Sequence, residues 1–78
     1  MVTPTDLQEF IRRTLDVREL DSNAAMGKTR GWDSLNQVNL ITALEGAYEI
    51  EIPPDMVGEL ASLPSIIKYF QTEGLLQA

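Results

Sequence analysis

The sequence contains neither cysteine nor histidine, and these two absences exclude several classes of function. Without cysteine no disulfide framework can form, and without either residue a zinc site lacks its usual ligands. A serine hydrolase needs a base that takes the proton of its nucleophile, most often a histidine. No apolar run approaches the roughly 20 residues that span a bilayer. We therefore expect a protein without a metal site or a membrane span, which packing alone holds together.

Basic residues are also few, because 6 Lys and Arg stand against 12 Asp and Glu in 78 residues and give a net charge of -6. The bases are scattered, whereas binding to a nucleic-acid backbone needs clustered cations. We expect no nucleic-acid partner, but proteins that present positive patches. The length predicts a single domain over residues 1–78 and a monomer. The first residues lack the basic start and apolar centre of a secretory signal, so we expect a protein of the cytoplasm. The start at Met1 and the compact length favour a free-standing protein.

The first helix is predicted over residues 3–16, because Thr3 can cap it and Pro4 suits its first position. Apolar residues recur there at helical spacing. From residue 16 to 33 no period persists, which predicts a long loop between the first and second helices. Three apolar residues could anchor this loop to the core: Val17, Leu20 and Met26.

The second helix has the clearest apolar pattern in the chain. Its apolar residues follow the spacing i, i+1, i+4, i+8 and form one stripe. They are Leu40, Ile41, Leu44 and Tyr48. A neighbouring face mixes apolar and polar residues, so we expect it to be partly exposed. It consists of Leu35, Val38, Thr42 and Glu45.

The remaining chain predicts a connector, a short helical turn and a final helix. Residues 48–52 alternate like a strand, but no second alternating segment exists to pair with them. We therefore expect an extended connector with Ile50 and Ile52 in the core. Two prolines then begin a short helix, and the last helix begins near Ser62 and ends at Gly74. The predicted fold is an all-α four-helix bundle with three main helices and one short helix.

The best candidate for a functional site is Ser34, in the stretch Gly31-Trp32-Asp33-Ser34-Leu35. In one interpretation Ser34 is only the N-cap of the second helix, and Gln37 completes a capping box. In the other, Asp33 is the cap and the Ser34 hydroxyl points outward at the positive end of the helix dipole, where a phosphate ester would be well placed. Asp-Ser-Leu also partly matches the nucleophile of an esterase family, but the base and the α/β sheet of such an enzyme are missing.

Together with the residues downstream, this stretch is similar to a known family. Four elements follow Trp32-Asp33-Ser34-Leu35 in the sequence. They are several aliphatic residues, a Leu-Glu pair, an aromatic residue and an Ile-x-Ile-Pro run. The matching residues are Val38, Leu40, Ile41, Ala43, Leu44, Glu45, Tyr48, Ile50, Glu51, Ile52 and Pro53. On these residues the chain resembles an acyl carrier protein, and the resemblance covers nearly the whole chain.

The resemblance implies a carrier and not an enzyme. A phosphopantetheinyl transferase would attach 4'-phosphopantetheine from coenzyme A to Ser34, with Asp33 capping or orienting the site. The arm would hold acyl, aminoacyl or polyketide intermediates as thioesters. Its further partners would be an acyl-loading ligase or transferase and downstream synthase enzymes. Partner recognition in the family maps onto Leu35, Val38, Thr42, Glu45, Met56 and Val57. The alternative is a non-enzymatic helical interaction module in which Ser34 is only a helix N-cap.

Several details go beyond this general reading. Carriers of fatty acid synthesis typically have several acids soon after the serine, whereas this chain has Asn36, Gln37 and Asn39. The docking face would therefore carry little negative charge, which favours a specialised polyketide, nonribosomal peptide or other acyl-modifying pathway.

We expect Trp32 to pin the loop to the core. For a domain this small we also favour a filled core over an opening for cargo between the second and third helices. Such an opening would be lined by Ala43, Ala47, Val57 and Leu60.

Overall fold

The computed structural model describes residues 2–76, which form three α-helices and one short 3-10 helix. They are α1 (Pro4–Leu15), α2 (Ser34–Tyr48), the 3-10 helix (Pro54–Met56) and α3 (Leu63–Thr72). α1 packs against both α2 and α3. The all-α prediction is confirmed, and the predicted short helix is a single 3-10 turn. None of the helices within residues 2–76 has the length and apolar character needed to cross a membrane.

A side-chain capping box fixes where α1 begins, and a left-handed residue follows its end. The Thr3 hydroxyl accepts a hydrogen bond from the Asp6 amide at 3.0 Å, and the Asp6 carboxylate accepts one from the Thr3 amide at 3.3 Å. This reciprocal capping box confirms Thr3 as the N-cap and satisfies two amide groups that a helix start would leave unpaired. The helix ends at Leu15, and the following residue, Asp16, adopts a left-handed conformation with φ 56°. The predicted range of 3–16 is thus one residue too long at each end.

The long loop between α1 and α2 is held by both side chains and backbone. Leu20 is buried, and Val17 and Met26 are half-buried against the core, so all three predicted anchors pack there. Sequence reasoning missed Ala24, which is buried and whose carbonyl accepts a hydrogen bond from the Leu63 amide at 2.8 Å. The Met26 amide donates to the Ala61 carbonyl at the same distance. These bonds join the loop to the start of α3.

The core forms where the apolar faces of the three helices meet. The stripe of α2 is confirmed, since Leu40, Ile41 and Leu44 are buried. Tyr48 is half-buried, and its ring centroid lies 5.4 Å from that of Phe10 and 5.6 Å from that of Phe70. Aromatic pairs at these distances add stability beyond their buried area. The end of α2 is therefore fixed to both α1 and α3.

The connector after α2 and the ends of α3 follow the predicted pattern. Ile52 is buried and Ile50 is half-buried, and residues 50–53, before the 3-10 helix, form neither a helix nor a strand. The Ser62 hydroxyl caps α3 by accepting from the Ser65 amide at 3.2 Å. Gly74 adopts the expected left-handed conformation after α3, with φ 72°. The buried residues of α3 are Leu63, Ile66 and Phe70, whereas Ile67 is half-buried.

Candidate functional site

Asp33, and not Ser34, is the N-cap of α2. The Asp33 carboxylate accepts a hydrogen bond from the Asn36 amide at 2.9 Å, and its backbone carbonyl accepts from the Gln37 amide at 2.8 Å. Ser34 is consequently the first helical residue. The interpretation of Ser34 as a cap that Gln37 completes was wrong. Asp caps a helix as well as Ser does, so either of the two neighbouring residues could be the N-cap, and here it is the earlier one.

The Ser34 side chain is exposed at the amino end of α2. Within residues 2–76 the Ser34 hydroxyl has no hydrogen-bond partner. The neighbouring Asp33 carboxylate, in contrast, accepts a hydrogen bond from the Asn36 backbone amide. The backbone just before the site is held by a bond of 2.6 Å from the Asn36 side-chain amide to the Gly31 carbonyl. The Ser34 hydroxyl therefore lies exposed at the positive end of the helix dipole, next to a backbone held by side-chain hydrogen bonds.

A buried hydrogen-bond network lies directly beneath the site. Trp32 and Gln37 are only 1% and 3% exposed. The Trp32 indole N–H donates to the Gln37 side-chain oxygen at 2.6 Å. The Gln37 side-chain nitrogen donates to the carbonyls of Val57 and Leu60, both at 2.7 Å. The expectation that Trp32 pins the loop is confirmed, and the turn at residues 57–60 is fixed to the same amide.

Gln37 is buried, although it was counted with Asn36 and Asn39 among the neutral residues of the docking face. It lies three residues before Leu40 and four before Ile41, so it continues the apolar stripe of α2 by one turn. This spacing can be read from the sequence, but a polar glutamine is not expected within an apolar stripe. The expectation that Gln37 completes a capping box was also wrong. Its side-chain oxygen and nitrogen are both hydrogen-bonded to other groups.

The predicted partner-binding residues lie on two separate surfaces. On α2, Leu35 and Val38 are large apolar side chains with 71% and 54% of their surface exposed. Below them an open groove of about 320 Å³ runs between α2 and the connector. It is lined by Val38, Ile41, Thr42, Glu45, Ile52, Pro54 and Val57. Met56 instead faces a groove beside α3 with Leu60 and Tyr69. Four of the six predicted partner residues thus share one groove, and Leu35 lies next to it.

Glu45 has a structural contact that the sequence did not reveal. Its carboxylate accepts a hydrogen bond from the Ile52 amide at 2.9 Å, which ties the connector to α2. Glu45 is the one charged residue of α2. The exposed part of α2 nearest Ser34 is therefore uncharged.

Beside the open groove, the Gln37 side chain bridges the space between α2 and residues 57–60 and fills part of it. Gln37 bonds across it to Val57 and Leu60, and Leu60 is buried in the core. Ala47, predicted as a lining residue of an opening, is exposed. These positions favour the expected filled core over an internal cavity for cargo.

The residues at the start of α2 fit a covalently attached phosphodiester. The hydroxyl is exposed, and helix amides favour negative charge at this position. The family described as "Phosphopantetheine attachment site" matches residues 5–70. An acyl carrier protein of Helicobacter pylori strain J99 is 33% identical over 72 residues, which cover 90% of this chain and 92% of that protein. The chain belongs to the acyl carrier protein family.

Two further relatives show the same relationship. The acyl carrier protein of Wolinella succinogenes is 30% identical over 69 residues, covering 86% of this chain and 91% of that protein. The one from a Sulfurovum species is 32% identical over 68 residues, covering 85% and 91%. Members of this family carry covalent 4'-phosphopantetheine and work with a phosphopantetheinyl transferase and biosynthetic enzymes. The cofactor and the carrier function expected from the sequence are thereby confirmed.

Proposed function

We propose that this acyl carrier protein is a cytoplasmic, single-domain carrier over residues 1–78, without catalytic activity of its own, and that its 4'-phosphopantetheine is attached to Ser34. The observation that carries the assignment is the exposed, unbonded Ser34 hydroxyl at the first position of α2. When attached, the arm supplies a terminal thiol that holds an acyl, aminoacyl or polyketide group as a thioester. The sequence has no sulfur nucleophile of its own, since it lacks cysteine.

The attachment needs little from the carrier itself. The Ser34 oxygen would form a bond to the phosphorus of the coenzyme A diphosphate next to the pantetheine, while the phosphoanhydride bond breaks and adenosine 3',5'-bisphosphate leaves. The hydroxyl proton would go to a base of the transferase, because this chain has no histidine and the Asp33 carboxylate already caps the helix. The helix dipole favours the new negative charge by about 0.3–1 kcal/mol.

The other serines are poorer acceptors. Ser62 and Ser65 are half-buried, and their hydroxyls bond to each other at 2.8 Å as part of the α3 cap. Ser22 is exposed, but it lies in the loop and not at a helix start. It therefore serves as a matched control for an exposed serine without the helix environment.

Intact mass after incubation with coenzyme A and a broad-specificity phosphopantetheinyl transferase tests the proposal. The wild type and Ser22→Ala should each gain one phosphopantetheinyl group, whereas Ser34→Ala should gain none. A gain retained by Ser34→Ala would place the attachment elsewhere. A wild type that gains nothing would refute the carrier proposal.

The neutral surface of α2 supports a finer proposal about the pathway. Between Ser34 and Glu45 the helix has no acid, so it offers few charges to a partner that docks through basic residues. We infer that the protein serves a specialised pathway with its own loading ligase, and not housekeeping fatty acid synthesis. Equal loading and turnover by fatty acid synthesis enzymes and by that ligase would refute this.

A further inference from the structure

One buried side chain, Gln37, joins α2 to a segment more than 20 residues away in the sequence. Its side-chain nitrogen donates to the carbonyls of Val57 and Leu60, both at 2.7 Å, and its oxygen accepts from the Trp32 indole at 2.6 Å. We call these three bonds the Gln37 bridge. Among residues 2–76 no buried side-chain nitrogen or oxygen lacks a partner, so the bridge leaves neither polar atom of the amide unpaired.

The Gln37 bridge lies between the attachment residue and the core. Gln37 follows Ser34 by three residues, about 4.5 Å along the helix axis, and is only 3% exposed. The open groove beside it begins at Val38, the next residue of α2. Because Gln37 joins α2 to residues 57–60 within one turn of Ser34, a chain that enters between them from Ser34 must displace this side chain.

An alkyl chain cannot replace the bonds of the Gln37 bridge. Moving the amide aside takes the acceptor from the Trp32 indole and the donor from the Leu60 carbonyl, and both residues are buried. A methylene group forms no hydrogen bond, so both polar groups would stay unpaired in apolar surroundings, which is costly. Burial of the chain would first have to offset this cost.

The cavities along residues 56–60 give no other way into the bundle. They are two open grooves of about 320 and 280 Å³. Neither groove is lined by Gln37 or by Leu44, a core residue with no exposed surface. The grooves therefore lie at the surface and do not reach the centre of the core.

Resting on the proposed function, we propose that Gln37 is a specificity-determining residue that keeps the acyl group of the arm out of the helical bundle. The Gln37 bridge holds residues 57–60 against α2, and the acyl group of an arm at Ser34 stays at the surface. The carrier offers a long alkyl chain no apolar interior, which suits a short or polar acyl group. A smaller side chain in place of Gln37 opens the way inward.

Carriers that differ only in the acyl group test this role. A broad-specificity transferase loads each protein from acetyl-coenzyme A or octanoyl-coenzyme A, and the transfer leaves the thioester intact. A chain that enters the folded core stabilises it, because the unfolded state offers no such site. The urea midpoint of the wild type should therefore be the same with either group. For Gln37→Ala the octanoyl form should have a midpoint about 0.5 M or more above that of the acetyl form.

Each protein is its own reference in this comparison, so a lower overall stability of Gln37→Ala does not affect it. The matched control is Gln71→Ala, which removes the same side chain from an exposed position of α3 and should show no effect of chain length. If far-UV circular dichroism shows that Gln37→Ala is unfolded, Gln37→Thr takes its place, because it retains more of the side-chain volume. An octanoyl group that stabilises the wild type, or equal midpoints for both forms of the Gln37 variant, would overturn the proposal.

Backbone amide NMR shifts show where the chain lies. Leu44 and Ile66 have no exposed surface, and their amide shifts should be equal in the acetyl and octanoyl forms of the wild type but differ between those forms of Gln37→Ala. A difference at these residues in the wild type would overturn the role of Gln37 and leave the carrier function intact. A wild type that gains no phosphopantetheinyl group, as intact mass would show, would refute both this proposal and the one it rests on.

Discussion

Replacing Gln37 by methionine is expected to lower the free energy of unfolding by about 2–5 kcal/mol. Methionine nearly preserves the volume, so little of this loss comes from a cavity. The replacement instead leaves the buried Trp32 indole N–H and the Leu60 carbonyl without partners, and each such group costs about 1–3 kcal/mol. The Val57 carbonyl is only partly buried and adds less. A domain of this length has a total stability of about 4–12 kcal/mol, so the loss is a large fraction of it.

Urea denaturation measures this effect directly. Trp32 is the single tryptophan, so its fluorescence reports on the same network that the substitution removes. Far-UV circular dichroism should give a coincident transition if unfolding is two-state. The control is Gln71→Met, the same change at an exposed position of α3, which should shift stability by less than about 0.5 kcal/mol. A loss for Gln37→Met no larger than that of the control would refute the inference that the network stabilises the fold.

Three further substitutions test the elements around the site. Asp33→Ala should cost about 1 kcal/mol by urea denaturation because α2 loses its cap, and Asp33→Asn should retain most of that stability. Gly31→Ala should cost about 1–3 kcal/mol, because φ is +86° and a Cβ would meet the Val17 side chain at 3.3 Å; Gly58→Ala, with open space and no positive φ, should not. Burial, and then the charge of Asp6, raise the pKa of Tyr48, so the neutral phenol favours the fold. Stability from this group is present below about pH 10 and is lost as the pH rises through the folded-state pKa. Tyr48→Phe should therefore lose less stability than the wild type as the pH rises above about 10. An equal loss in both would contradict this assignment.

Most of the fold follows from local patterns in the sequence. The caps Thr3 and Ser62 and the left-handed Gly74 were predicted from residue type and position alone, and each is present. Such signals are local, because a cap or a glycine acts within a few residues of itself. The anchoring of the long loop by backbone bonds from Ala24 and Met26 to the start of α3 was not predicted. These bonds join residues far apart in the sequence, and no local pattern records them.

The start of α2 shows where local reasoning is insufficient. Asp33 and Ser34 are both good caps, and residue type alone cannot decide between them. The burial of Trp32 favours one choice, because Gln37 must point inward to accept from the indole. Ser34 lies three residues earlier, is exposed, and is the first helical residue because Asp33 is the cap. The decisive information was therefore a contact between two side chains that sequence reasoning had treated separately.

The Gln37 amide consequently connects stability and function in this carrier. Its bond to Trp32 sets the rotation of the first turn of α2, which determines how Ser34, Leu35 and Val38 face the solvent. Its bonds to Val57 and Leu60 hold the opposite wall of the groove in place. A substitution that breaks both sets of bonds would displace Ser34 and the groove together. The neutral exposed surface beside Ser34 thus depends on a polar residue that never reaches that surface.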